Sequence, residues 1–430
     1  MTQIHCFRGD TVTTNIDVTT DRRQRGADTE LRRRAKAVVP NGMYGHQNMN
    51  ALPAIPQYIA RSRGARLWDV DGNEYVDLMC SWGPVILGHG DPVVEQAAER
   101  QRRQGDCLNG PAPVIVELAE AMVATVADAD WAMFAKNGTD ATTMCCTIAR
   151  AATGRKMILV AEGAYHGAAP WCTPFPAGVT AADRANLLQF QFNDIASIRA
   201  AAGEHADDVA AIIVSPFRHD AGFDQELVDP TFAKDVRAYC DEIGAALILD
   251  DVRAGFRLHH GGSWEPLGVQ VDLTPWSKSI ANGYALAAVT GTDRYRDAAG
   301  GIFVTGSFWM GAVDMAAGLA TITELASRDA VSRMRDLGQQ LRTGILDGAT
   351  RWGFDVHYTG PSQMPNLLFA NDSDYALSVA FSAEAQARGV FVHPKHNWFV
   401  SAAMTDADLD MALTGLDGAF GALRARYPQP

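Results

Sequence analysis

Short, almost unbroken apolar runs recur through the middle of the chain: WAMFA (131–135), MILVAEG (157–163), AAIIVSP (210–216) and AALILDD (245–251). Between them the period changes. TDATTMCCTIARAATG (139–154) and DPTFAKDVRAYCDEIG (229–244) space their apolar residues at helical intervals. The second has Asp at the N-cap, Pro at the first helical position and Gly244 at the close. Strands that are apolar on both faces and alternate with helices predict an α/β fold, a mainly parallel sheet covered by helices. Upstream, ARLWDVDGNEYVDL (65–78) alternates apolar and polar residues around Asp71-Gly72, which predicts a hairpin. After about residue 325 the pattern becomes helix, then the short strands NLLFAN and GVFVHP, then the helix TDADLDMALTGLDGAF. The expected organisation is an N-terminal segment (1–78) contributing to a small domain, a large domain (79–325) and a C-terminal α+β part (326–430).

Composition narrows the function classes. The 430 residues are 47% hydrophobic and 20% charged, an ordinary globular balance, and the net charge of -13 argues against a nucleic-acid or anionic-membrane partner. RRQRGADTELRRRAK (22–36) is the local exception; it could be a nucleic-acid arm, but in so acidic a chain it reads as a solvated helix or a mobile terminus. The seven cysteines show no metal-ligand spacing and no even-numbered framework, as expected of reduced thiols. The opening MTQIHCFRGDTVTT has no apolar core, and no window approaches the roughly 18 apolar residues of a membrane span. The expectation is a cytoplasmic protein with no metal and no membrane.

Ligands of open α/β sheets bind beyond the carboxyl ends of the strands, so the residues just after each run carry the chemistry. WAMFA leads into Asn137-Gly138-Thr139 opening a helix, where free N–H groups and the helix dipole suit a phosphate. MILVAEG leads into Tyr165 and His166, an aromatic platform for a planar ligand and a group to orient it. AALIL ends at Asp250, a carboxylate that is costly to bury without a cation or a donor. VDLTPWS ends at Lys278, set among Ser, Asn and Gly; a lysine shielded from water becomes a nucleophilic amine. Taken singly, each has a plainer explanation: a helix cap, a loop aromatic, a surface turn, a surface lysine. In this order they match the needs of pyridoxal 5'-phosphate, with its phosphate, its planar ring, a ring nitrogen kept protonated by an acid and an aldehyde that condenses with an amine.

The chain also resembles the class III aminotransferases of fold type I, and within them the glutamate-1-semialdehyde aminomutase branch. The resemblance runs from about Val39 to the C-terminus. It is carried by CSWGPVILGHGDP (80–92), NGTDAT (137–142), GRKMILVAEGAYHG (154–167), LILDDVRAGFR (247–257), VDLTPWSKSIANGY (271–284), GSFWMGAVDMAAG (306–318) and HNWFVSAAMT (396–405). It implies a seven-stranded-type sheet in the large domain and a small α+β domain built from both ends of the chain. It also implies that Lys278 forms the Schiff base, Asp250 pairs with the ring nitrogen, and Val252 packs on the ring face opposite Tyr165. Asn137, Gly138 and Thr139 hold the phosphate, and Ser307 reaches the phosphate of the neighbouring subunit, which requires a homodimer with sites at the interface.

Trp82 is expected to line the substrate pocket. Two departures fall there: Asn48 stands where the aminomutase has the arginine for its substrate carboxylate, and His396 where it has a glutamate. Asparagine has no charged fork for a carboxylate. The resulting expectation is an aminotransferase that moves an amino group between a small-molecule donor and a carbonyl acceptor, the donor being an amine, a β- or ω-amino acid or an amino-modified metabolite. An aminomutase, or a racemase or epimerase, is the alternative.

Overall fold

The structure is a computed structural model and describes residues 25–427. MTQIHCFRGDTVTT and the first residues of the basic run lie outside the described residues. The rest of that run forms the helix Gly26–Val38, with Arg33 and Arg34 exposed.

The predicted hairpin is present. After β1 (Ile59–Arg63), strands β2 (Arg66–Asp69) and β3 (Glu74–Asp77) pair antiparallel. Asp69 shapes the turn by accepting from the backbone N–H of Asp71 (3.0 Å) and Asn73 (2.8 Å), and Gly72 supplies the positive φ of +87°.

A seven-stranded sheet comes next, of β4 (Trp131–Ala135), β5 (Met157–Ala161), β6 (Leu187–Phe190), β7 (Val209–Val214), β10 (Ala246–Leu249), β11 (Leu273–Trp276) and β12 (Ala287–Gly291). The short antiparallel pair β8 (Phe217–Arg218) and β9 (Glu226–Leu227) lies between β7 and β10 in the chain. The strand order is β4-β12-β11-β10-β7-β5-β6, and β12 alone runs against its neighbours. All residues of β5, β7, β10, β11 and β12 are buried, as the unbroken apolar runs require of a sheet covered on both faces.

The pleat sorts the runs by period two. Ile158, Val160, Ile213 and Ile248 pack with Met144, Cys145 and Ile148 of the helix Gly138–Thr153. Leu159, Ile212, Leu247 and Leu249 pack on the other side with Phe232, Val236 and Tyr239 of the helix Pro230–Ile243. Each such side chain contributes about 1.5–3 kcal/mol when fully buried. The second helix begins where expected, with the Asp229 carboxylate accepting from Thr231 N–H at 2.7 Å, and stops at Gly244 with φ +69°.

Beyond the large sheet, β13 (Val356–Thr359) and β14 (Asn366–Phe369) form an antiparallel pair. β15 (Val390–Phe391) joins β3 in parallel, so a segment near the C-terminus completes the sheet of β1–β3. The last helix, Asp406–Arg426, opens on a capping box between Thr405 and Asp408.

Candidate active site

β4, β5, β10 and β11 run in one direction and place their carboxyl ends along one edge. The residues after them meet there. Asp250, 4% exposed, has its Oδ2 2.6 Å from His166 Nδ1, and its Oδ1 accepts from Val252 N–H at 3.1 Å. His166 is itself buried, and its Nε2 has no partner among the described residues. Thr142 fixes the same loop by donating from Oγ1 to the His166 carbonyl at 2.7 Å.

Three loops approach so closely that two positions must be glycine. A Cβ on Gly138 would fall 2.5 Å from Val252 Cγ1. One on Gly167 (φ +129°) would fall 2.7 Å from Thr139 Oγ1, which accepts from Ala168 N–H at 3.0 Å. The side chain of Asn137 is committed to its own helix: Oδ1 accepts from Asp140 N–H at 3.0 Å and Nδ2 donates to Asp140 Oδ2 at 2.9 Å. An anion at this helix start therefore meets backbone N–H groups of Gly138 and Thr139, which have no acceptor inside the helix, and the Thr139 hydroxyl.

Lys278 follows β11 after Ser277, in the left-handed region with φ +48°. Its side chain makes no hydrogen bond or ion pair with the described residues. Its polar neighbours hold the turn. Ser277 Oγ donates to the Leu286 carbonyl (3.1 Å), Ser279 Oγ to the Gly255 carbonyl (2.6 Å), and Asn282 bridges Ile86 N–H, Leu87 N–H and the Gly88 carbonyl. Burial, and then the positive charge of Arg253, lower the Lys278 amine to about 7, while Asp250 pulls the other way. The amine is about half unprotonated at pH 7 and mostly free base by pH 8.

The wall facing the lysine comes from the 80–85 segment. Cys80, Ser81, Trp82 and Gly83 all have positive φ, at 47°, 53°, 67° and 107°, a conformation costly for the three non-glycine residues. Asp77 Oδ1 accepts from Met79 and Cys80 N–H, and Arg257, fully buried, donates to the Gly83 and Val85 carbonyls. Gly83 lies against the lysine, since a Cβ there would be 3.3 Å from Lys278 Cδ and 3.0 Å from Phe399. Trp82 is ringed by imidazoles: His46 at 5.1 Å, His393 at 5.3 Å and His396 at 4.9 Å between ring centroids. Burial lowers His393 to about 3, and burial followed by the Arg253 charge puts His396 well below its ordinary value. Both are neutral imidazoles at physiological pH.

Of the remaining expected residues, Tyr165 is 38% exposed on the loop after β5. Asn48 turns inward on its own loop, donating to the Met43 carbonyl and accepting from Asn50 N–H, both at 2.9 Å; His46, two residues earlier, is the one that reaches Trp82. Ser307 is exposed, on a segment whose Phe303 and Phe308 are 93% and 68% exposed, and is not hydrogen-bonded to the other residues named here. Sequence reasoning passed over His46, His393 and Arg253. The last stood in plain view in DDVRAGFR, one residue after Val252. Among the described residues, no group of three or more His, Cys, Asp or Glu side chains is placed to hold a metal, and no helix is long and apolar enough to cross a membrane.

Comparison with known proteins agrees with this arrangement. Residues 49–419 match the family model described as aminotransferase class-III. The chain is 46% identical to an aminopentol aminotransferase of Sphingopyxis macrogoltabida, over 92% of this chain and 94% of the relative. It is 32% identical to a glutamate-1-semialdehyde 2,1-aminomutase of Desulfovibrio desulfuricans, over 89% and 97%. In three dimensions it is similar to the FumI protein of a Sphingopyxis species, solved in its PLP internal aldimine form, with a TM-score of 0.92, 46% identity and coverage of 93% and 97%.

Proposed function

The chain belongs to the class III aminotransferases, pyridoxal-phosphate-dependent enzymes, and from that premise we propose that it takes the amino group from a primary amine on a hydroxylated aliphatic chain and passes it to a keto acid. The observation that carries the reading is the pairing of a Lys278 amine lowered to about 7 with the buried Asp250–His166 pair at the neighbouring strand end. The donor class rests on two supports. The 46% identical relative is named for an aminopentol, and neutral imidazoles with Trp82 form a wall suited to hydroxyl groups.

The site fits pyridoxal phosphate on features of its own. The Gly138 and Gly167 positions keep an unobstructed helix start for the phosphate, and the buried Asp250 carboxylate is held by His166 where a protonated ring nitrogen needs an acceptor. When bound, the cofactor supplies an aldehyde that condenses with amines and a ring that takes up the electron pair left when a proton leaves the adjacent carbon. In this proposal Lys278 Nζ anchors the cofactor and, as a free base, takes that proton and returns it at the other carbon. Tyr165 and Val252 bound the ring, and Trp82 with His396 orients the donor and excludes water. Asn48 acts indirectly, by shaping the loop that carries His46.

Exposed Phe303, Phe308 and Met310 around Ser307 support a homodimer in which Ser307 serves the neighbouring subunit's phosphate. The completion of the β1–β3 sheet by β15 supports joining residues 1–78 and 326–430 into one small domain beside the 79–325 domain. The same reading keeps the enzyme in the cytoplasm, where the buried thiols of Cys80, Cys145, Cys146 and Cys240 stay reduced.

The test is to incubate purified holoenzyme with long-chain amino polyols and pyruvate and to measure alanine. Alanine formed in step with donor consumption is the expected result. Isomerised or racemised donor without acceptor consumption would replace this reading with the aminomutase or epimerase alternative.

A further inference from the structure

We propose that Arg253 binds the carboxylate of the keto-acid acceptor, and of the amino acid formed from it, through a forked contact from Nε and Nη2. The inference rests on the aminotransferase reading and adds the residue that selects the acceptor.

The guanidinium is already oriented by one of its nitrogens. Arg253 Nη1 donates to the His219 carbonyl at 3.1 Å and to Asn397 Oδ1 at 2.9 Å. Asn397 is buried and is itself fixed by donating from Nδ2 to the Trp398 carbonyl at 3.0 Å. Nε and Nη2 have no hydrogen-bond partner among the described residues, and neither is sealed from solvent. Two adjacent free donors of a planar fork match the two oxygens of a carboxylate.

No carboxylate of the described residues pairs with this cation. Asp250 is engaged by His166, Asp220 by Arg218 at 3.1 Å, and Asp251 by Ser263. The other arginine of the segment, Arg257, is spent on the carbonyls of Gly83, Val85 and Val400. Asp220 and Asp250 act on this half-buried guanidinium only through their charge, without a direct contact, and its free edge, on a cation whose charge also bears on Lys278, is completed by an anion. Its position is central: its charge acts on Lys278, His219 and His396, which come from three separate parts of the chain. An acceptor carboxylate held there sits where it acts on the Lys278 amine through charge, as Arg253 does. The loop at Asn48 offers no competing fork, because that side chain is turned to its own backbone.

The experiment compares wild-type, Arg253→Gln and Arg253→Lys holoenzymes with pyruvate and with propanal, an acceptor of similar size lacking the carboxylate. Propanoate binding is measured by calorimetry and cofactor content by absorbance. For Arg253→Gln, kcat/KM for pyruvate should fall about 100-fold, the order of a lost charge-assisted fork. For propanal it should change less than about threefold, and propanoate binding should vanish. Arg253→Lys should recover part of both, as a point charge without the fork. The proposal is overturned if pyruvate and propanal fall together, if propanoate binding survives in Arg253→Gln or is missing in the wild type, or if cofactor loss accounts for the defect. A wild-type enzyme that aminates neither acceptor sinks the aminotransferase reading instead, and propanoate binding still decides the role of Arg253.

Discussion

With the cofactor removed, Lys278 should behave as an amine of pKa about 7. At pH 8 such a group is about 90% unprotonated, against about 0.4% for a lysine at the ordinary value of ~10.4, a roughly 200-fold excess of nucleophile. Burial is the larger cause and the Arg253 charge the next, with Asp250 opposing. The two nearby charges can therefore be tested separately: Arg253→Met should move the midpoint up, and Asp250→Asn should move it down. The assay is trinitrobenzenesulfonate labelling of the apoenzyme between pH 5 and 10, read at the Lys278 peptide by mass spectrometry. Stability supplies a second readout. Between about pH 7 and ~10.4 the unfolded chain binds the proton that the folded chain has released, so folding stability gains with rising pH in that window. The apo wild type should gain Tm relative to Lys278→Met from pH 7 to pH 9. A labelling midpoint at 10 or above, or one that moves with neither substitution, refutes the reasoning.

The geometry sets three further outcomes. Gly138→Ala places a methyl 2.5 Å from Val252 Cγ1; overpacking of about 1–3 kcal/mol is expected, with cofactor Kd raised at least ~10-fold by equilibrium titration, and an unchanged Kd would contradict the close approach. Arg257→Met leaves the carbonyls of Gly83, Val85 and Val400 without their donor; at ~1–3 kcal/mol per unpaired buried group, urea unfolding should show a loss of roughly 3 kcal/mol or more, and a loss below ~1 kcal/mol would mean the clamp carries little. Asp251, fully enclosed and bonded to Ser263, is raised to about 7 by burial. Its contribution is present below the unfolded value of ~3.9 and is lost as pH rises through about 7. The Tm advantage of wild type over Asp251→Asn should therefore shrink from pH 5 to pH 8, by on the order of 2 kcal/mol in stability, and a pH-independent difference would rule this out.

What the sequence revealed depended on the strength of its periods. β5, β7 and β10 are runs of apolar residues and were readable directly, because a strand buried on both faces cannot afford polar alternation, and the edge strand β4 shares the apolar run with two half-buried residues. β12, Ala-Ala-Val-Thr-Gly, was not. Its residues are small because partners crowd it: a Cβ on Gly291 would meet Trp131 at 2.4 Å. The site divides in the same way. Asp250 and Lys278 each come at the end of an apolar strand and could be found from the chain itself. His46 and His393 could not, since they reach Trp82 from segments nearly 350 residues apart, and only tertiary folding brings them within 5.1 and 5.3 Å of its ring. Asn137 was legible as a residue of the helix start but not in its use, because whether such a side chain caps its own helix or holds a ligand is decided by Asp140 three residues on.

Under the proposed function, the charges around the lysine let one site serve two unlike substrates. The Arg253 charge acts on Lys278 and on the buried, neutral His396, while the carboxylates that oppose it, Asp250 and Asp220, are engaged by His166 and Arg218. Such a pocket repels a protonated amine, so a donor enters as the neutral amine, the form in which nitrogen is nucleophilic. It attracts an anion, so the proposed keto acid would be drawn toward the free edge of the guanidinium. The same Arg253 charge that helps hold Lys278 as a free base is thus the charge an acceptor would neutralise on binding. Neutralising it removes one of the two causes that lower the lysine, raising the proton affinity of Nζ when an acceptor is in place. On this proposal, donor and acceptor are told apart by charge, and the proton affinity of the lysine changes with whichever one is bound.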